Sequence, residues 1–167
     1  IKFGRDETNE EEDIRIIDAK VVRSMLDFCF ESPKQRDWRI GTLIVLRVLC
    51  GVRAEEAIRL KWSSLKDIAS EERVLRIPAH KAKKGYKRFS TVHPSAQEWL
   101  LFVRGKFGNS VYEKHDDWLM PANNDPATGI TETGWRSTWQ RWIKRWKEWA
   151  AAHKKPHANY KQNSLRD

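Results

Sequence analysis

Five tryptophans stand at positions 135, 139, 142, 146 and 149. Steps of four, three, four and three keep all five on one stripe of an α-helix, because side chains at i, i+3, i+4 and i+7 share a face. Arg136, Arg141, Lys144, Arg145 and Lys147 take the other faces. Such a ridge of indoles predicts a long helix whose apolar side is covered by other elements. A base-stacking platform would scatter exposed aromatics over a strand face or loops instead. At 167 residues the chain can form one domain with a real core and is too short for two large ones.

The elements that cover the stripe can be read upstream. Asp18 is a candidate N-cap for a helix with Val21, Val22, Met25, Leu26 and Cys29 on one face. Ser32-Pro33-Lys34-Gln35 has the form of a capping box with proline at the first helical position. It opens an apolar helix through Trp38, Ile40, Leu43, Ile44, Leu46 and Leu49, stopped by Gly51, and a shorter helix is expected over 54–60. The period then becomes that of strands: 74–78 and 87–92 alternate on either side of a lysine-rich turn containing Gly85. Residues 65–68 are a candidate third, edge strand. Ser95-Ala96-Gln97-Glu98 reads as another capping box, for a helix carrying Trp99, Leu100 and Val103 and ending near Gly108. Residues 109–134, with Pro121, Asn123, Asn124, Pro126 and Gly129, read mostly as loop. The expected fold is mainly α with a small antiparallel β-sheet (α+β): six or seven helices carrying two or three strands.

Charge is unevenly spread. The formal net charge is +9, but residues 1–13 hold two basic and six acidic residues, so residues 14–167 carry +13. Residues 1–13 read as a mobile acidic linker. A domain with the opposite excess is expected to meet a polyanion, nucleic acid being the commonest, with simple solubility as the plain alternative. Cys29 and Cys50 lie in apolar stretches without metal-ligand spacing and read as buried thiols in a reducing compartment. Neither a metal nor a cofactor motif is present. With no signal peptide and no long uncharged apolar run, the expectation is a soluble intracellular protein without a membrane partner.

Residues 49–62, Leu-Cys-Gly-Val-Arg-Ala-Glu-Glu-Ala-Ile-Arg-Leu-Lys-Trp, place one arginine in a turn between two helices. A guanidinium there is held rigidly yet faces outward, which suits a phosphate clamp. The pattern Gly51, Val52, Arg53, Glu56, Leu60, Trp62 resembles the first arginine box of the tyrosine recombinases, the phage integrase family. An ordinary corner with Arg53 paired to Glu56 is the plain alternative. The run His80-Lys81-Ala82-Lys83-Lys84-Gly85-Tyr86-Lys87-Arg88 crowds four lysines and one arginine into a tight β-turn, which a polyanion would compensate. It resembles the family's β-hairpin, whose lysine is the general acid for the departing 5′-hydroxyl. Lys83 matches best, with Lys81 in an alternative register; Lys81, Lys84, Lys87 and Arg88 are candidate DNA contacts. Asn163-Ser164-Leu165-Arg166-Asp167 resembles the family's His-x-Leu-Arg-His box, in which Arg166 matches the second phosphate-binding arginine. Asn163 stands where histidine is usual, and an amide cannot act as general base, though it can hold a phosphate oxygen.

The order of these motifs, and the 113 residues from Arg53 to Arg166, also suit the family. The resemblance covers residues 14–167 and implies an integrase-like catalytic domain. Arg53, Lys83, Asn163 and Arg166 would be the catalytic residues, and Glu56 would orient Arg53 or brace its helix. It further implies double-stranded DNA as partner, a tetramer on DNA, no cofactor, and bacterial or phage cytoplasm as the setting. Two arginines from distant segments make chemical sense, since phosphoryl transfer without a metal needs fixed cations on the non-bridging oxygens. The family's nucleophilic tyrosine follows the second arginine, whereas Tyr86, Tyr112 and Tyr160 all precede Arg166. The expectation is therefore a fragment truncated before its nucleophile, inactive alone, of a site-specific recombinase acting through a 3′-phosphotyrosine. A type IB topoisomerase-like enzyme and a non-catalytic DNA-binding module on the same scaffold are the alternatives.

Overall fold

The computed structural model describes residues 18–69, 73–77, 88–107, 118–122 and 125–157. Asp18 has extended backbone and its carboxylate accepts the Lys20 N–H at 2.8 Å, opening α1, Ala19–Glu31. Val21, Ser24, Met25, Phe28 and Cys29 form its buried face.

Helix α2 runs Gln35–Cys50, but the expected capping box does not form. Lys34 is the N-cap residue and no side chain caps the helix. Ser32 Oγ instead donates to Asp37 Oδ2 at 2.5 Å and accepts the Lys34 N–H at 3.2 Å. Asp37 is fully buried, and the demand of a buried carboxylate for donors draws the serine away from the helix end. Gly51 ends α2 in the left-handed region (φ 63°, ψ 26°), and the Val52 N–H closes back on Leu46 O at 3.1 Å.

Helix α3 spans only Ala54–Ala57. It stops short of Leu60 because the Leu60 carbonyl accepts the Leu119 N–H at 3.0 Å and Lys61 bridges to Trp118. The candidate edge strand at 65–68 is instead part of a 3-10 helix, Trp62–Ala69. Trp62 and Leu65, three residues apart, fall on one side of such a helix, and both are buried.

The expected hairpin is present as β1, Val74–Ile77, antiparallel to β2, Arg88–Thr91, in register Val74↔Thr91 to Ile77↔Arg88. Its turn lies outside the described residues. Helix α4, Pro94–Phe107, starts one residue before the serine of the expected box. His93 does the capping: its carbonyl accepts from Ala96 and Gln97, and its Nδ1 accepts the Ser95 N–H at 3.2 Å. Pro94 takes the first helical position, where a missing N–H costs nothing.

A second hairpin, β3 (Pro121–Ala122) with β4 (Asp125–Gly129), replaces part of the expected loop. Gly129 serves close packing there, since a Cβ would sit 2.8 Å from the Trp118 ring. Helix α5, Glu132–Ala152, is capped by Thr131 Oγ1, which accepts the Gly134 N–H at 3.1 Å. Trp135, Trp139, Trp142 and Trp146 are buried and Trp149 is half-buried against Phe28. The stripe is core. Trp146 Nε1 donates to Ser24 Oγ of α1 at 3.2 Å, and Phe28 meets Trp142 at 5.7 Å. Gly41 lets Trp99 of α4 touch α2, where an added Cβ would lie 2.6 Å from the indole. Cys29 and Cys50 are free and buried, and burial raises both thiol pKa values.

The architecture is mainly helical with small antiparallel strand pairs, as expected, although the four strands make two separate two-stranded sheets. Among the described residues no helix is long and apolar enough to cross a membrane.

Candidate functional site

The left-handed stop at Gly51 turns the chain sharply, burying Val52 and swinging Arg53 to the rim. Arg53 has extended backbone (φ −68°, ψ 151°) and is the N-cap residue of α3. Its N–H donates to Glu56 Oε2 at 3.0 Å, and its Nη1 donates to Glu56 Oε1 at 3.3 Å. Glu56 therefore grips the arginine by backbone and side chain together.

The same carboxylate reaches across to the first hairpin. Arg88 Nη2 donates to Glu56 Oε2 at 2.6 Å and to Gly51 O at 3.0 Å, while its Nε donates to Oε1 at 3.3 Å. Two residues on, Ser90 Oγ donates to Cys50 O. Arg88 and Ser90 share one face of β2, so both tie the strand to the end of α2.

The Glu56 side chain is wholly buried, whereas the side chains of Arg53 and Arg88 are 36% and 32% exposed. Burial alone would push the Glu56 carboxyl up. The Arg88 hydrogen bond, the Arg53 N–H and the two guanidinium charges outweigh that and hold it below its ordinary value. Glu56 is thus an anion near neutral pH and cancels one of two cations. Among the described residues it engages only Nη1 of the Arg53 guanidinium, leaving most of a rigid donor fork facing outward. An oxyanion meeting that fork would find it already oriented.

Of the candidate site residues, Arg53, Glu56 and Arg88 come together. Lys81, Lys83, Lys84, Lys87, Asn163 and Arg166 lie outside the described residues. Among the described residues no three His, Cys, Asp or Glu side chains gather as a metal site. Sequence reasoning missed the link between Glu56 and Arg88, 32 residues apart. Strand parity carried the signal: Phe89 is 66% exposed, so its polar neighbours Arg88 and Ser90 must face inward. It also missed the pair of Asp37 on α2 with Arg145 on α5, 2.5 Å apart.

No family model matches the chain, and no curated protein does. Among solved structures it resembles the Tn1549 transposon integrase (residues 82–397), solved in complex with circular intermediate DNA. The TM-score is 0.61 at 14% identity, over 95% of this chain and 52% of that one. The chain thus spans about half the length of that solved chain. At this identity the likeness is one of architecture: the chain has a fold resembling that of a transposon integrase.

Proposed function

We propose that the chain belongs to a tyrosine-recombinase-type integrase, which cuts and rejoins duplex DNA through a 3′-phosphotyrosine, and that Arg53 clamps the scissile phosphate. The observation that carries this reading is the Arg53–Glu56–Arg88 assembly, which fixes a partly exposed arginine beside the strand leading out of a hairpin whose turn is lysine-rich in sequence. The integrase-like fold, seen with DNA in the Tn1549 protein, supports it, as does the +13 charge of residues 14–167.

In this reading a tyrosine hydroxyl attacks phosphorus and the bond to the 5′-oxygen breaks. Arg53 and Arg166 hold the non-bridging oxygens, where negative charge accumulates. Lys83, or Lys81 in the other register, gives its proton to the leaving oxygen. Asn163 holds a phosphate oxygen, and Glu56 keeps Arg53 in position without taking a proton. Lys84, Lys87 and the exposed part of Arg88 add backbone contacts, which give affinity without reading sequence. The reaction would proceed on a DNA-bound tetramer in the cytoplasm.

The test uses the full reading frame, a nicked suicide substrate and Arg53→Ala. Removing one preorganised donor to a developing oxyanion costs about 10²–10³ in rate, so the covalent adduct should all but vanish while duplex affinity stays within a few-fold. Undiminished adduct would refute the assignment. Asn163, an amide in the imidazole position, favours one other reading: a non-catalytic DNA-binding module. That reading predicts duplex binding with no adduct from the wild-type protein.

A further inference from the structure

A second cluster of cations lies where the start of α2 meets the middle of α5. Asp37 is its only carboxylate among the described residues, and both oxygens are occupied. Oδ1 accepts Arg145 Nη2 at 2.5 Å; Oδ2 accepts Arg145 Nη1 at 3.1 Å and Ser32 Oγ at 2.5 Å. That fork cancels Arg145. It leaves Lys34, Arg36 and Arg141 around the same cavity without an anionic partner among the described residues. Arg36 Nη2 donates to Thr138 Oγ1 at 3.2 Å and Arg141 Nε donates to Ser137 O at 3.3 Å, both neutral acceptors. Ile40 and Trp142 contribute apolar surface.

Arg36 is half-buried while Lys34 and Arg141 are exposed, so water screens their mutual repulsion only in part and an anion joining them would relieve it. Burial and the neighbouring Arg141 charge together push the Arg36 guanidinium below its ordinary pKa, with Asp37 opposing. The cavity holds about 210 Å³. With about 30 Å³ for each water in the liquid, it accommodates a phosphate group and its ester atoms but no base pair. Three uncancelled cations exceed one diester, and neighbouring diesters of one strand would answer them.

We propose that this cleft is a second phosphate-binding site, taking backbone phosphate of a nucleic-acid strand at the end of α2 opposite Arg53. About 22 Å of helix separates Gln35 from Cys50, at 1.5 Å rise per residue, so the two sites do not share a phosphate. The site does not depend on the strand-transfer reading, since a binding module would use it equally.

The experiment measures duplex affinity of the full chain by fluorescence anisotropy across a salt series. The double variant Arg36→Gln/Arg141→Gln is compared with Arg23→Gln/Lys154→Gln, which removes two charges elsewhere. Each phosphate contact contributes about 0.9 to the slope of log K against log salt, so the cleft variant should lose about one to two in slope and about tenfold in affinity near 0.1 M salt. The control should lose clearly less, and Arg36→Lys/Arg141→Lys should retain most of the slope. If the double variant misfolds by circular dichroism, Arg141→Gln alone, at an exposed position, should lose about half as much. An unchanged slope, or equal losses in both pairs, would overturn the proposal. Pyrophosphate shifting the Trp142 indole resonance in competition with duplex supports it. The same shift undisturbed by duplex would identify a small phosphate compound as the ligand. An altered self-association with unchanged slope would identify an acidic protein surface, and either result overturns it.

Discussion

Replacing Glu56 by glutamine isolates the charge that holds Arg53 and Arg88 together. The amide keeps the size of the side chain and can still accept the Arg53 N–H. It loses the negative charge facing three guanidinium donors, at 3.3, 2.6 and 3.3 Å. Breaking a fully buried ion pair costs about 3–5 kcal/mol, while an exposed pair is worth about 0–1 kcal/mol. Here the carboxylate is fully buried but both arginine side chains are about one-third exposed. The cost should fall between those limits, at about 2 kcal/mol, which for a domain of this size lowers Tm by about 4–8 °C.

Urea unfolding across a pH series supplies a sharper readout. The Glu56 carboxyl titrates below its ordinary value in the folded protein. Its contribution is therefore fully present above the unfolded pKa of about 4.3 and disappears as pH falls through the lower, folded value. The stability gap between wild type and Glu56→Gln should be constant from pH 6 to 7 and close in strongly acidic solution. A double-mutant cycle with Arg88→Gln should return a coupling of about 1 kcal/mol or more, since the two residues touch. A Glu56→Gln protein within about 0.5 kcal/mol of wild type, the range of ordinary surface changes, would refute the reasoning, as would a gap independent of pH.

Gly51→Ala forces a side chain into the left-handed region (φ 63°) and should cost about 1–2 kcal/mol in guanidinium unfolding. Gly41→Ala drives a methyl group to 2.6 Å from the Trp99 ring; it should cost about 1–3 kcal/mol and alter the near-ultraviolet circular dichroism. Cys29 and Cys50 are buried with raised thiol pKa values, so a thiol reagent near pH 8 should modify them only at the rate of opening, accelerating with denaturant. If Lys83 is the general acid, Lys83→Ala should cleave an ordinary substrate poorly but recover on one with a 5′-bridging sulfur, a leaving group that needs no proton. Recovery by Lys81→Ala instead would assign the other register.

Long periodic elements were legible in the sequence because periodicity follows burial. The indole stripe of α5, the apolar run of α2 with its glycine stop, and the alternation of β1 and β2 each announce the surface they cover. Their ends were less legible, since an end is decided by whichever partner competes for the capping group. Ser32 is drawn away by Asp37, and His93 does the work assigned to Ser95. Residues 65–68 show the limit of short patterns, because a few apolar positions fit an edge strand and a 3-10 turn alike. At the candidate site, the turn holding Arg53 and its relation to Glu56 could be read locally, three residues apart. The partner on β2 could not, because only the packed hairpin brings position 88 to position 56.

That long-range partner bears on how the site works. Arg88 binds Gly51 O and Glu56 while Ser90 binds Cys50 O, so the strand beginning at Arg88 and the turn carrying Arg53 are joined at both ends of a short span. Lys87 is the next residue back along the chain, its Cα about 3.8 Å from that of Arg88. Lys83 lies five residues back and can stand at most about 17 Å from Arg88 at full extension. Lys81, four residues beyond Ile77, is limited to about 14 Å from the end of β1. Chain length thus tethers both lysines to the described ends of the hairpin. The tether ends on the same buried carboxylate that orients Arg53. Loss of Glu56 would therefore loosen the clamp and the root of the hairpin in one step, and the two losses would not add as independent ones. In the proposed reaction, a carboxylate that takes no proton can in this way matter as much as one that does.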